Sequence, residues 1–116
     1  MGSRWRAVVV DAADPGRLAR WWAEVLDYRV IAEANGEVRI GSGPDTWPMI
    51  TFCPVDEERA GKNRLHLDLL PADQAAEIER LVDMGARHVD IGQGDVSQTV
   101  LADPEGNVFC VLRSAG

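Results

Sequence analysis

Long apolar runs are missing from this chain: none approaches the roughly 20 residues that a membrane-spanning helix requires. The N-terminus also lacks the hydrophobic core of a secretion signal. A cytoplasmic protein is therefore expected. Cysteine is scarce, with Cys53 and Cys110 the two present. Each lies inside a β-like run, and without an export signal they read as buried thiols before they read as a disulfide. Basic charge is short as well, with twelve Lys and Arg against nineteen Asp and Glu and a formal charge of −7. That balance disfavours phosphate backbones and anionic membrane surfaces, so no nucleic acid and no membrane is expected as a partner. No low-complexity tract interrupts the sequence.

What is there is a globular composition, 46% hydrophobic, in a chain of 116 residues. That length suits one domain burying about two-thirds of its unfolded surface. Its plan is a repeat: a β-like run, a capped amphipathic helix, then further β-like runs closed by a tight turn. The first copy occupies residues 5–55. Trp5 to Asp11 (WRAVVVD) favours a strand through its three consecutive valines. Asp14 then offers a cap, and Pro15 suits the first helical position. Leu18, Trp21, Trp22, Val25 and Leu26 recur at the spacing of one helical face. After the run Tyr28 to Ala34, Asn35-Gly36 signals a hairpin, followed by Glu37 to Ile40 and Trp47 to Val55.

Residues 56–63 read as a linker, and the second copy occupies residues 64–113. Arg64 to Leu70 (RLHLDLL) alternates, with Leu65, Leu67 and Leu69 on one face and Arg64, His66 and Asp68 on the other. Pro71 suits a helix start, Ala75, Ile78, Leu81 and Val82 make an apolar stripe, and Gly85 supplies a left-handed cap. Arg87 to Ile91 is a short strand candidate. Ser97 to Ala102 is expected to pair with Asn107 to Arg113 across Asp103-Pro104-Glu105-Gly106.

Three stretches, LARWWAEVLDYRV (Leu18 to Val30), NRLHLDL (Asn63 to Leu69) and VLADPEGNVFCVL (Val100 to Leu112), in that order and spacing, resemble the glyoxalase/bleomycin-resistance/extradiol-dioxygenase superfamily. These are also called vicinal oxygen chelate proteins, and the likeness is to their short glyoxalase-like branch. The resemblance implies an α+β fold of two βαβββ modules whose curved mixed sheets enclose a cavity, often within a homodimer. It also implies where a metal would sit, since metal-using members draw His or Glu ligands from the first and last strands of each module. Those positions here hold Ala7, Thr51, His66 and Cys110. Ala7 has no donor, Thr51 is a neutral alcohol and Cys110 a soft donor, so no metal and no cofactor is expected.

Several residues carry two readings each. His66 and Asp68, two apart on one strand face, read as an acid/base or substrate-anchoring pair, or as a satisfied polar pair. Cys110 is a small buried hydrophobe, or one donor of a soft site with His66; the cysteine spacing forms no paired zinc motif. A nucleophilic Cys110 would need a depressed thiol pKa. Trp21 and Trp22 belong to the helix stripe. Trp5, which shares the parity of Ala7, and Trp47, at a loop–strand junction, are candidate ligand contacts, with edge packing or dimer contact as the alternative. Arg39 and Arg64 offer charge to an anionic ligand or are simply solvated, and His88 is expected at the surface. The expectation is a homodimeric binder of a small molecule, metabolite or antibiotic, with Trp5, Ala7, Trp47, Thr51, His66 and Cys110 as ligand contacts. The alternatives are a lyase, isomerase or dioxygenase that uses His66, with Asp68 as its acid/base partner or with a metal, and a structural or interaction module.

Overall fold

Val8, Val9 and Val10 commit the first described segment to extended backbone, and strand β1 spans Ala7–Ala12. The structure is a computed structural model and describes residues 2, 5–55, 66–89 and 98–113. The chain divides into two compact units, Met1–Arg59 and Ala60–Gly116. The division falls within the expected 56–63 linker, whose residues lie outside those described.

In the first unit Asp14 caps helix α1 (Pro15–Leu26), its carboxylate accepting from the Arg17 amide at 3.2 Å, and Pro15 opens the helix. The helix ends at Asp27, whose left-handed φ of 56° lets its amide donate to the Ala23 carbonyl. Strands β2 (Arg29–Ala34), β3 (Glu37–Gly41) and β4 (Met49–Pro54) follow. Asn35 and Gly36, at φ 55° and 81°, make the β2–β3 turn. The sheet order is β1-β4-β3-β2, with β1 parallel to β4 and the other pairs antiparallel. One face buries Val38, Ile40, Ile50 and Phe52 together with Leu18, Trp22 and Val25 of α1. Burial of each such large side chain contributes about 1.5–3 kcal/mol. Trp21 and Trp22 meet edge to face with centroids 5.0 Å apart, as helix-stripe packing requires.

The second unit repeats the order with β5 (Asp68–Leu69), α2 (Gln74–Asp83), β6 (Arg87–His88), β7 (Gln98–Ala102) and β8 (Val108–Leu112). Its sheet runs β5-β8-β7-β6, again with a parallel first pair. Leu101, Phe109 and Val111 share the core with Leu81 of α2, all 1% exposed or less. Gln74 anchors the helix by donating to the Val111 carbonyl at 3.0 Å. The fold is thus α+β, with two βαβββ units whose four-stranded mixed sheets are both open.

Local details depart from the sequence expectations for physical reasons. The expected strand Arg64 to Leu70 narrows to Asp68–Leu69. Arg64 and Leu65 lie outside the described residues, and Leu70 is 67% exposed ahead of Pro71, which has no amide to donate. Pro71 does not start the helix; Asp73 does, by accepting from the Ala76 amide at 3.0 Å. The α2 stripe is narrower than its periodicity suggests: Leu81 is buried and Ile78 half-buried, whereas Ala75 and Val82 are exposed. Gly85 does take a positive φ, 109°, just after the helix. At the β7–β8 turn, buried Asp103 accepts from the amides of Glu105 and Asn107, each at 2.9 Å, and from the Asn107 side chain.

Candidate functional site

Strand alternation decides which side chains leave the core. In the second unit Asp68 is the register partner of Cys110, and Cys110 that of Val100, so all three share the face opposite Leu101, Phe109 and Val111. The Cys110 amide donates to the Leu67 carbonyl at 2.9 Å, which locks this register. His66 lies two residues before Asp68, and its Nε2 comes within 3.1 Å of Asp68 Oδ1. One donor atom from each of His66, Asp68 and Cys110 lies within 4.8 Å of the others. The His66 and Asp68 side chains are 48% and 50% exposed, whereas Cys110 is buried.

The electrostatics of this trio run against a cysteine nucleophile. Burial pushes the Cys110 thiol above its ordinary value, and the Asp68 carboxylate adds to the shift by its charge and by accepting the thiol hydrogen bond. The neutral thiol is therefore the favoured form at physiological pH, opposite to what activation needs. Asp68 stands between an imidazole and a thiol, a carboxylate addressed from two sides. The arrangement can orient the imidazole, accept from a bound donor, or bring imidazole, carboxylate and sulfur onto one cation.

The corresponding face of the first unit is different. Thr51 is buried, in register with Val9 on one side and Arg39 on the other, and half-buried Ala7 is the partner of Met49. Neither position supplies a strong donor. Trp5 and Trp47 are 65% and 43% exposed. The Trp5 indole N–H donates to the Ala7 carbonyl at 3.2 Å, and the Arg6 guanidinium lies 5.8 Å from the Trp47 ring centroid. Cys53, half-buried on the same sheet face as Thr51, has its thiol raised by burial first, then by Glu37, to which it donates, and by Asp11.

The sequence-predicted residues are thus brought together as two sets. His66, Asp68 and Cys110 converge within the second unit; Ala7 and Thr51 share one sheet face of the first, with Trp5 and Trp47 near its edge. Arg39 is half-buried, His88 is exposed as expected, and Arg64 lies outside the described residues. Sequence reasoning missed the thiol–carboxylate bond between Cys110 and Asp68, because no local signal reports which strands become neighbours. It also missed the acidic surroundings of Cys53, and for those the alternation of Glu37, Asp11 and Cys53 on their strands gives no register either.

The fit of these residues to the hard divalent ion of metal-using vicinal oxygen chelate proteins follows from donor chemistry. Ala7 ends in a methyl group, Thr51 in a neutral hydroxyl, and Cys110 in a protonated thiol, leaving one imidazole. Hard cations want several oxygen ligands. The four positions do not fit such an ion.

Comparison with known proteins places this geometry. A family model described as a glyoxalase-like domain matches residues 7–112. No curated protein matches the chain in sequence. Among solved structures, a glyoxalase/bleomycin resistance protein/dioxygenase family enzyme from Burkholderia phytofirmans PsJN superposes with a TM-score of 0.76 at 17% identity, over 97% of this chain and 100% of that one. The trypanothione-dependent glyoxalase I of Leishmania major gives 0.70 at 16% identity, over 97% and 87% of the two chains. A bleomycin resistance determinant encoded on transposon Tn5 gives 0.64 at 14% identity, over 98% and 100%. At these identities the likeness is one of fold.

Proposed function

Because this chain belongs to the glyoxalase-like domain family, we propose that it binds a small molecule, a metabolite or an antibiotic, at the sheet face carrying His66, Asp68 and Cys110, without needing a hard divalent ion. The observation that carries this reading is the trio itself. A half-exposed carboxylate and imidazole, 3.1 Å apart, stand beside a buried thiol on a sheet face that also carries Val100 and Ala102. A few polar groups on an apolar floor fix a ligand's orientation while burial supplies affinity. A solved structure of the same fold is a bleomycin resistance determinant, which makes antibiotics one natural class to screen.

The test is a thermal-shift screen of metabolites and antibiotics run in excess chelator. A ligand present at about 100 times its Kd stabilises the native state by about 2.7 kcal/mol. Hits that weaken in Asp68→Asn and His66→Ala support the reading; silence across a broad panel overturns it. Homodimerisation belongs to the same proposal, and light scattering that finds a monomer at micromolar concentration refutes that part.

One observation favours a second reading. The His66–Asp68 contact is of the kind that orients an imidazole for proton transfer, which suits a lyase or isomerase. In that case His66→Gln keeps ligand binding and loses turnover.

A further inference from the structure

Ala7 and Thr51 leave the two family ligand positions of the first unit without a strong donor, yet three donors of another kind are gathered in the second. An imidazole nitrogen of His66, a carboxylate oxygen of Asp68 and Cys110 Sγ stand within 4.8 Å of one another, and His66 Nε2 is 3.1 Å from Asp68 Oδ1. We propose that His66, Asp68 and Cys110 form a binding site for one thiophilic divalent ion, zinc foremost, held by the second unit alone.

Geometry is the first argument. In a tetrahedral zinc site, bonds of about 2.0–2.1 Å to nitrogen and oxygen and about 2.3 Å to sulfur put neighbouring donors roughly 3.3–3.6 Å apart. Closing the trio around an ion therefore takes side-chain shifts on the order of 1 Å. Two of the three donors stand on strands already locked in register, Asp68 opposite Cys110, and the third lies two residues upstream on the same face. Donor type is the second argument. Sulfur and imidazole select zinc over magnesium, calcium or manganese, and one carboxylate completes a mixed set. Access is the third. His66 and Asp68 are half-exposed, so an ion reaches the trio from solvent, and three protein donors leave the fourth tetrahedral position for water. When the metal–sulfur bond forms, Cys110 releases its proton to solvent and the Asp68 oxygen exchanges its hydrogen bond for the ion.

This goes beyond the binding reading, which asks nothing of a metal. The ion and the small molecule are alternative occupants of one face, and the screen in chelator stands or falls separately.

The experiment titrates reduced, metal-stripped protein with cobalt(II), whose bond to a thiolate gives a near-ultraviolet charge-transfer band, and then displaces it with zinc. The expected result is a band that saturates at one cobalt per chain and disappears on zinc addition. Cys110→Ser abolishes the band, His66→Ala and Asp68→Asn each weaken cobalt binding at least about tenfold, and Cys53→Ser leaves it unchanged. Far-ultraviolet circular dichroism checks that each variant is folded, and Asp68→Asn, altering a half-exposed side chain, keeps the test decisive if Cys110→Ser is not. No band, a band that survives in Cys110→Ser, or undiminished affinity in both His66→Ala and Asp68→Asn overturns the proposal.

Discussion

Where the first unit places Ala7 on its opening strand and Thr51 on its last, the second places His66 just ahead of its opening strand and Cys110 on its last. The helix-covered faces of the two units, by contrast, are built alike, Phe52 with Val38 and Ile40 in one, Phe109 with Leu101 and Val111 in the other. A helix packed on a sheet fixes the volume and polarity of the face beneath it, because interiors are close-packed. The opposite face carries no such constraint from its own helix. A repeat can therefore keep one face and diversify the other, and His66, Asp68 and Cys110 have collected on the opposite face of the second unit.

The sharpest way to break that comparison is through the shared cores. Phe52→Ala and Phe109→Ala are each expected to cost about 3–5 kcal/mol in urea denaturation; a loss confined to one of them would show that the two cores do not contribute alike. Next come the turns, which the units build differently. Asp103→Ala strips the acceptor from the Glu105 and Asn107 amides and is expected to cost about 1–3 kcal/mol. Asn35→Gly, at a residue whose φ of 55° glycine accepts freely, should be neutral or stabilising in the same measurement. Smaller again are the helix caps. Asp14→Ala and Asp73→Ala should each cost about 1 kcal/mol, and similar values would mark the two caps as equivalent.

The smallest effect concerns the thiols. Both are raised in the fold, Cys110 by burial and Asp68, Cys53 by burial and Glu37. A raised thiol means that the unfolded chain loses its proton first. Stability from the neutral thiol is complete below the unfolded value of about 8.5 and declines as pH rises through it toward the higher folded value. Urea denaturation from neutral to alkaline pH should show that decline, and Cys110→Ala should flatten it. An alkaline limb identical in the variant would mean that the fold does not raise the Cys110 thiol.

Much of the scaffold was legible in the sequence because it rests on local chemistry. Asp14 and Pro15 announce α1, Asn35-Gly36 announces its hairpin, and the repeat predicts the order of elements along both units. The second helix start was misplaced because Pro71 and Asp73 are both good start residues, and only the backbone shows that Asp73 meets an amide. Leucine alternation extends the predicted strand from Arg64 to Leu70, whereas among the described residues the strand is Asp68–Leu69. The candidate site was half legible. Period-two alternation put His66 beside Asp68, but the Cys110 contact depends on register between strands far apart in the chain, which no local pattern encodes.

Among the described residues, β5 is two residues long and forms the outer edge of its sheet, paired to β8 alone. So short an edge is the natural place for a sheet to fray. Anything that touches His66, Asp68 and Cys110 together fastens that edge to the strand beside it. Occupancy and local opening then exclude each other, and the protection of the Cys110 amide against hydrogen exchange becomes a gauge of how full the site is.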